Sequence, residues 1–89
     1  MTTVLIMTTA QLNVRALSSI ARDIRAHWPK VSYAAAPYLD AMRNLNDIDE
    51  MYGYDTGRSV VAYFLSNAHS WRGDHARRVK AELKAMLNR

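Results

Sequence analysis

Apolar residues recur at three- and four-residue spacing over the first third of the chain, and Pro29 ends the pattern. This spacing places side chains along one face of an α-helix. Residues Thr8 to Gln11 have the Thr-x-x-Gln form of a capping box, whose side chains satisfy free backbone N–H groups where a helix starts. The sequence therefore predicts a first helix of about four to five turns, with an apolar face formed by Ala10, Val14, Leu17, Ile20, Ala21, Ile24 and Trp28.

A second helix is predicted from about Ala36 to Leu45, where apolar residues again follow the helical period. Pro37 falls in its first turn, which tolerates proline. Asn46 is then predicted to cap a short helical turn that runs to Tyr52, and Gly53 to end that turn in a left-handed conformation.

The segment SVVAYFL, residues 59–65, is rich in residues that favour β-strands, and a strand paired with residues 4–7 is one alternative. We expect a third main helix over residues 56–67 instead, because Asp55 precedes it as a candidate N-cap. Its apolar residues also follow the helical period: Val60, Val61, Phe64, Leu65 and Ala68. Apolar residues on several sides predict that this helix lies at the centre of a small bundle.

The last helix is predicted to begin after Ser70 as its N-cap. Its apolar face contains Ala76, Val79, Leu83, Met86 and Leu87, and the opposite face contains Arg77, Lys80 and Lys84. Arg78 lies four residues from both Asp74 and Glu82, a spacing that predicts a ladder of surface ion pairs. The fold class expected for residues 1–89 is thus a single all-α domain, a compact bundle of three main helices plus one short helix. Met1-Thr2-Thr3 recurs as Met7-Thr8-Thr9, which leaves two alternatives for the first residues: a start at Met7, or a short N-terminal arm that packs on a neighbour.

Two short segments match known functional motifs, but their predicted positions do not suit those functions. Asp55-Thr56-Gly57 matches the aspartic-protease triplet and Arg72-Gly73-Asp74 matches the integrin-binding tripeptide. Both fall at predicted helix starts, whereas the first requires a β-rich dimer and the second an exposed loop tip. We therefore predict no catalytic residue and a protein that is not an enzyme.

Metal-binding motifs are equally weak in the sequence. The chain has no cysteine, which excludes disulfides and thiolate zinc sites. His27, His69 and His75 do not follow a metal-binding spacing, and His27 lies four residues after Asp23, as in a simple pair on a helix surface. No metal ligand and no cofactor are predicted.

Charge is segregated along the chain. Basic and acidic residues cancel before Ser70, so the net charge of +4 comes from the C-terminal segment. Residues 47–55 carry four acids and no base, with methionine and tyrosine side chains of the types favoured at interfaces. The predicted partner surface therefore contains Asp47, Asp49, Glu50, Met51, Tyr52 and Tyr54. The rival candidate is a basic surface for nucleic acid, formed by Arg77, Lys80 and Lys84 with help from Arg15, Arg22 and Arg25.

No segment has the length and apolarity of a membrane span. The apolar run from Val4 to Met7 is too short for a signal peptide, and no lysine or arginine precedes it. We therefore expect a soluble, cytoplasmic protein that does not act at a membrane.

Four segments resemble small proteins of unknown function encoded by actinobacterial phages, mycobacteriophages in particular: YLDAM, DIDEMYGYD, GRSVVAYFLSNA and SWRGDHARRVKAELKAML. The resemblance covers roughly Ala34 to Leu87, and SWRG followed by ARRVKAELK is its most distinctive part. It implies a phage accessory protein acting in the bacterial host cytoplasm, and it transfers no functional residue.

The function expected from the sequence is a non-enzymatic protein-binding module. Its partner would be a host or phage protein, with association between copies of the chain as an alternative. Nucleic-acid binding by the basic face of the C-terminal helix is the competing hypothesis.

Overall fold

Four helices pack around one apolar core in the computed structural model, which describes residues 14–88. They are α1 (Leu17–His27), α2 (Ala36–Met42), α3 (Gly57–Ser66) and α4 (Asp74–Leu87). Two short antiparallel strands, β1 (Met51–Tyr52) and β2 (Asp55–Thr56), precede α3. The protein is mostly helical, with three longer helices and one of seven residues, which confirms the predicted fold class.

Helix α3 lies against α2, α4 and β2, as its many-sided apolar pattern predicted. SVVAYFL is helical, so the strand alternative is wrong for this segment. Phe64 is fully buried, and its ring meets Trp28 edge-on at a centroid distance of 6.3 Å. Trp28 in turn stacks on Trp71 at 5.8 Å, which joins the ends of α1 and α3 to the segment before α4. The predicted apolar face of α1 is buried from Leu17 onward. That of α4 is buried from Ala76 to Met86, and Leu87 is partly buried.

Helix α1 starts later than predicted, at Leu17. Val14, which was predicted on its apolar face, lies before the helix and is half exposed. The N–H groups of Leu17 and Ser18 donate to the carbonyl oxygens of Asn46 and Leu45, at 3.1 and 2.8 Å. The backbone after α2 thus satisfies donors that would otherwise need a side-chain cap. The predicted capping box at residues 8–11 and the N-terminal arm lie outside the described residues.

Residues 46–56 form a turn and a β-hairpin, so the predicted short helix is wrong. Gly53 has φ of 63°, which confirms the left-handed conformation expected there, but it serves the hairpin turn. Asp55 belongs to β2 and does not cap α3. The cap is Thr56, whose hydroxyl oxygen accepts a hydrogen bond from the N–H of Ser59 at 3.1 Å.

Helix α4 also begins later than predicted, at Asp74 and not directly after Ser70. Gly73 precedes it with φ of 109°, a backbone conformation that residues other than glycine rarely adopt. The segment from Ser70 to Gly73 is therefore a connection outside the helices. It places the Trp71 side chain in the core, where it is buried.

Within residues 14–88, no helix combines the length and the apolar character that crossing a membrane requires.

Candidate functional site

The residues predicted as a partner surface come together on the β-hairpin and the turn before it. We call Asp47, Asp49, Glu50, Met51, Tyr52 and Tyr54 the acidic hairpin surface. All six are exposed. Tyr54 is fully exposed, and Met51 and Tyr52 are exposed by 57% and 43%. Large apolar side chains therefore stand in water beside carboxylates.

The backbone beneath this surface is held in place by several contacts. Ile48 is buried and anchors the turn to the core. The N–H of Gly57 donates to the carbonyl oxygen of Glu50 at 2.7 Å, and the Glu50 carboxylate accepts from the N–H of Asn46 at 3.0 Å. The exposed side chains thus project from a fixed support.

Gly57 determines how closely the turn approaches α3. A Cβ atom at this position would lie 2.6 Å from the carbonyl oxygen of Ile48 and 2.9 Å from that of Asp47. Only glycine permits that approach. Sequence analysis missed this residue, because the approach is a tertiary contact that no local pattern signals.

The surface keeps an excess of negative charge. Among the four acids of residues 47–55, Asp49 pairs with the Arg58 guanidinium, whose Nε lies 3.0 Å from its Oδ1. Arg58 also donates through Nη1 to the carbonyl oxygen of Leu87 at 3.0 Å, which ties the turn to the end of α4. Four carboxylates against one guanidinium favour a cationic partner.

The rival basic surface is only partly assembled, because Arg15 is not an exposed member of it. Its guanidinium donates to both carboxylate oxygens of Glu82, at 2.7 and 2.9 Å, and to Asp23 Oδ2 at 2.9 Å. The hydrogen bond to Glu82 raises the pKa of Arg15 against the opposing effect of burial. Arg15, just before α1, therefore links Asp23 of α1 to Glu82 of α4.

Lys80 is also engaged within the fold. Its Nζ donates to the carbonyl oxygens of Ala68 and Trp71, at 2.7 Å each. Burial lowers the pKa of Lys80, and the positive charges of Lys84 and Arg72 act in the same direction. The Lys80 ammonium group thus donates hydrogen bonds to carbonyl groups in the loop before α4, and it is less available to an external phosphate.

The predicted ladder around Arg78 is wrong. Asp74 pairs with Arg77 and Glu82 pairs with Arg15, so neither acid pairs with Arg78. Of the three basic residues predicted on the outer face of the last helix, Arg77 and Lys84 are exposed.

A different arginine group forms between α1 and the end of α2. Arg22, Arg25 and Arg43 line an open depression of about 540 Å³, which we call the arginine depression. Arg25 is paired with Asp40 at 2.6 Å. Arg22 and Arg25 were predicted in the basic stripe, whereas Arg43 was not, because it comes from another helix.

One cluster of chemically active side chains was not predicted as a site: Asp23 and His27 of α1 with His75 of α4, here the Asp23 cluster. Asp23 Oδ1 lies 2.9 Å from His27 Nδ1 and 2.8 Å from His75 Nε2, and the two imidazole rings are 3.9 Å apart. The Asp23–His27 pair confirms the prediction from their spacing. Sequence analysis found no spacing that would join His75 to this pair, because the contact depends on how α1 and α4 pack.

The surroundings of Asp23 favour its ionised form. Burial would raise the pKa of its carboxyl group, but the hydrogen bonds from His75 and Arg15 outweigh that effect and place the pKa below its usual value. The side chain is 18% exposed, so its charge is partly shielded from solvent.

Comparison with protein-family models, curated proteins and solved structures finds no match for the chain. Within residues 14–88, three features therefore bear on function: the acidic hairpin surface, the arginine depression and the Asp23 cluster. The acidic hairpin surface exposes the most apolar side-chain area and is the main candidate for a binding site.

Proposed function

We propose that the protein is a non-enzymatic binding module whose acidic hairpin surface contacts a partner protein. The observation that supports this most is the exposure of Met51, Tyr52 and Tyr54 together on one hairpin. Methionine and tyrosine are enriched at protein interfaces, and tyrosine is frequent among the residues that dominate binding energy. The surrounding carboxylates would form the polar rim of the interface.

The support beneath the surface favours binding. Association costs free energy when loops and side chains must be ordered at the interface. Here the backbone is already held by the contacts of Gly57 and Glu50 and by the buried Ile48. Little further ordering of the hairpin backbone is needed, so more of the contact energy contributes to affinity.

The partner that fits is a protein presenting basic and apolar side chains. Opposite charge on the two surfaces speeds encounter and disfavours partners of like charge. The resemblance to actinobacteriophage proteins extends the proposal to a phage accessory protein that binds a host protein in the bacterial cytoplasm. A second copy of the chain could also be the partner, because its α4 is basic, and the experiment below distinguishes this case.

Removing the tyrosines of the acidic hairpin surface is expected to weaken partner binding at least tenfold. The variant Tyr52→Ser/Tyr54→Ser loses two exposed aromatic anchors, each worth about 1 kcal/mol or more at an interface. The wild-type chain would first capture its partner from an actinobacterial lysate. Biolayer interferometry would then compare the affinities of wild type and variant for that purified partner.

Tyr33→Ser is the matched control, because Tyr33 is 96% exposed and lies outside the hairpin. Its affinity should stay within about twofold of wild type, a change below 0.5 kcal/mol. The proposal fails if both variants lose affinity equally. It also fails if no stoichiometric partner is captured and sedimentation finds only a monomer, whereas a concentration-dependent dimer sensitive to the double variant identifies a second copy as the partner.

The arginine depression favours a second candidate function, binding to the phosphates of a nucleic acid. Arg22, Arg25 and Arg43 line it, with Arg25 paired to Asp40. Arg77 and Lys84 add exposed positive charge on α4. Guanidinium groups bind phosphate well because their N–H donors match its geometry.

If this second function holds, fluorescence anisotropy with duplex DNA should show binding that weakens steeply with salt. Neutralising about three phosphates predicts a log-log slope near −2.7. The variant Arg22→Gln/Arg43→Gln should flatten that slope, whereas Arg78→Gln on α4, outside the depression, should leave it close to wild type. A flat titration at low salt would exclude this function.

A further inference from the structure

We propose that Asp23, His27 and His75 form a binding site for a divalent transition metal ion, with Zn²⁺ as the best match. The three side chains each offer one ligand atom, and these atoms lie within 4.8 Å of one another. The proposal goes beyond partner binding and uses residues outside the acidic hairpin surface.

The spacing of the ligand atoms suits coordination. Zn²⁺ binds imidazole nitrogen and carboxylate oxygen at about 2.0 to 2.2 Å, which places neighbouring ligand atoms roughly 2.9 to 3.4 Å apart, depending on geometry. The distances from Asp23 Oδ1 to His27 Nδ1 and His75 Nε2 are 2.9 and 2.8 Å. These two distances are close to that spacing, and all three ligand atoms lie within 4.8 Å of one another. Both histidine side chains are partly exposed, so they have room to bring their nitrogen atoms together around an ion.

The donor set selects the class of metal. Neutral imidazole is a good ligand for Zn²⁺ and other late first-row ions, whereas Mg²⁺ and Ca²⁺ prefer oxygen donors. To coordinate, His75 must present the lone pair of Nε2 and His27 that of Nδ1. His27 Nδ1 also lies 2.9 Å from the carbonyl oxygen of Asp23, so metal binding would replace a hydrogen bond to that oxygen. Each ring would then carry its proton on its other nitrogen, and the Asp23 carboxylate would be the anionic ligand.

Neighbouring groups orient the ligands and balance the charge. Arg15 holds the second oxygen of Asp23, and Glu82 in turn neutralises Arg15. Asp23, Glu82 and Arg15 together carry one net negative charge, which favours a cation. The Trp71 ring lies edge-on to His75 at 6.2 Å, which fixes one side of that imidazole. Such outer contacts orient metal-binding histidines and carboxylates in known sites.

A bound ion would connect two helices. Asp23 and His27 belong to α1 and His75 belongs to α4, so coordination would cross-link the first described helix to the last. Three protein ligands leave at least one coordination position for water. Because the unfolded chain does not keep these ligands together, binding should stabilise the fold.

The experiment uses the full chain without an affinity tag. Calorimetric titration with ZnCl₂ should give one ion per chain, and CoCl₂ should produce the visible absorption of a nitrogen- and oxygen-bound site. At a free zinc concentration about tenfold above Kd, the melting temperature should rise by about 5 to 10 °C. MgCl₂ should cause no comparable shift.

Variants His27→Gln and His75→Gln should each weaken zinc binding about tenfold or more. His69→Gln is the matched control, because His69 is exposed and is not part of the cluster. Glutamine can still donate a hydrogen bond to Asp23, and circular dichroism would check folding. If His75→Gln does not fold, His27→Gln and the wild-type cobalt spectrum decide the question.

The proposal is overturned if zinc causes neither heat nor a melting shift in the wild type, or if His69→Gln weakens binding as much as the other two variants. Unchanged binding in both cluster variants would overturn it as well. The double variant Tyr52→Ser/Tyr54→Ser should bind zinc normally, so the metal site and the partner surface can fail independently.

Discussion

Phe64→Ala is expected to lower the free energy of unfolding by about 3 to 5 kcal/mol. Phe64 lies on α3, is fully buried and packs edge-on against Trp28. Truncating it removes apolar contacts and leaves a cavity between α3 and its neighbouring helices, which cannot close completely. A chain of this length is stable by roughly 4 to 13 kcal/mol, so the variant should lose from about a quarter to all of its stability. Urea denaturation followed by circular dichroism would measure the loss.

Tyr63→Ala is the matched control for this substitution, because Tyr63 is the preceding residue of the same helix and is 53% exposed. Its ring stacks on Tyr38 at 5.4 Å, so a loss of about 1 kcal/mol is expected. Equal losses at Phe64 and Tyr63 would contradict the position of α3 at the centre of the bundle. The difference between the two losses of stability measures the effect of burial, because both substitutions replace an aromatic residue by alanine in the same helix and change helix propensity by a similar amount.

The helices were predictable where their stability comes from a periodic apolar face. Leu17, Ile24 and Leu83 were assigned to the core from spacing alone, and each is fully buried. Helix starts were less predictable. Leu17 begins α1 because carbonyl groups after α2 accept its N–H and that of Ser18, a contact between residues far apart in the chain. Local sequence rules describe side-chain caps and cannot identify such a partner.

The β-hairpin did have a local signal. Gly53-Tyr54 is a two-residue connection with glycine in the first position, which is typical of a tight hairpin turn. Tyr52 and Asp55, on either side of it, are paired across the two strands. Gly53 was expected to end a helix, and the same positive φ also suits a hairpin turn.

The acidic hairpin surface was predictable because its residues all lie between positions 47 and 54, so any compact turn would bring them near one another. The Asp23 cluster was visible only in part: the four-residue spacing predicted the contact of Asp23 with His27. His75 joins them through the packing of α4 on α1. Arg15 and Lys80 were misplaced for a similar reason, because their partners, Glu82 and the carbonyl groups of Ala68 and Trp71, are tertiary contacts.

Gly57→Ala is expected to lower the free energy of unfolding by about 1 to 3 kcal/mol, the range for overpacking a filled site. Helix propensity alone predicts the opposite, since alanine is more favourable than glycine in a helix by up to about 1 kcal/mol. The added Cβ would lie 2.6 Å from the carbonyl oxygen of Ile48 and 2.8 Å from its carbonyl carbon. These are backbone atoms, so the turn that carries Asp47 and Glu50 must move away from α3.

That movement should alter the acidic hairpin surface as well as stability. Urea denaturation and amide NMR shifts of residues 47–56 would measure both effects, together with affinity for the captured partner. Gly73→Ala is the control: a Cβ there meets nothing within 4 Å, and its positive φ of 109° makes the substitution costly at the start of α4 alone. Gly73→Ala should therefore leave the hairpin shifts and the partner affinity unchanged. If Gly57→Ala is as stable as the wild type and its hairpin amide shifts are unchanged, the turn does not rest on α3 at this glycine.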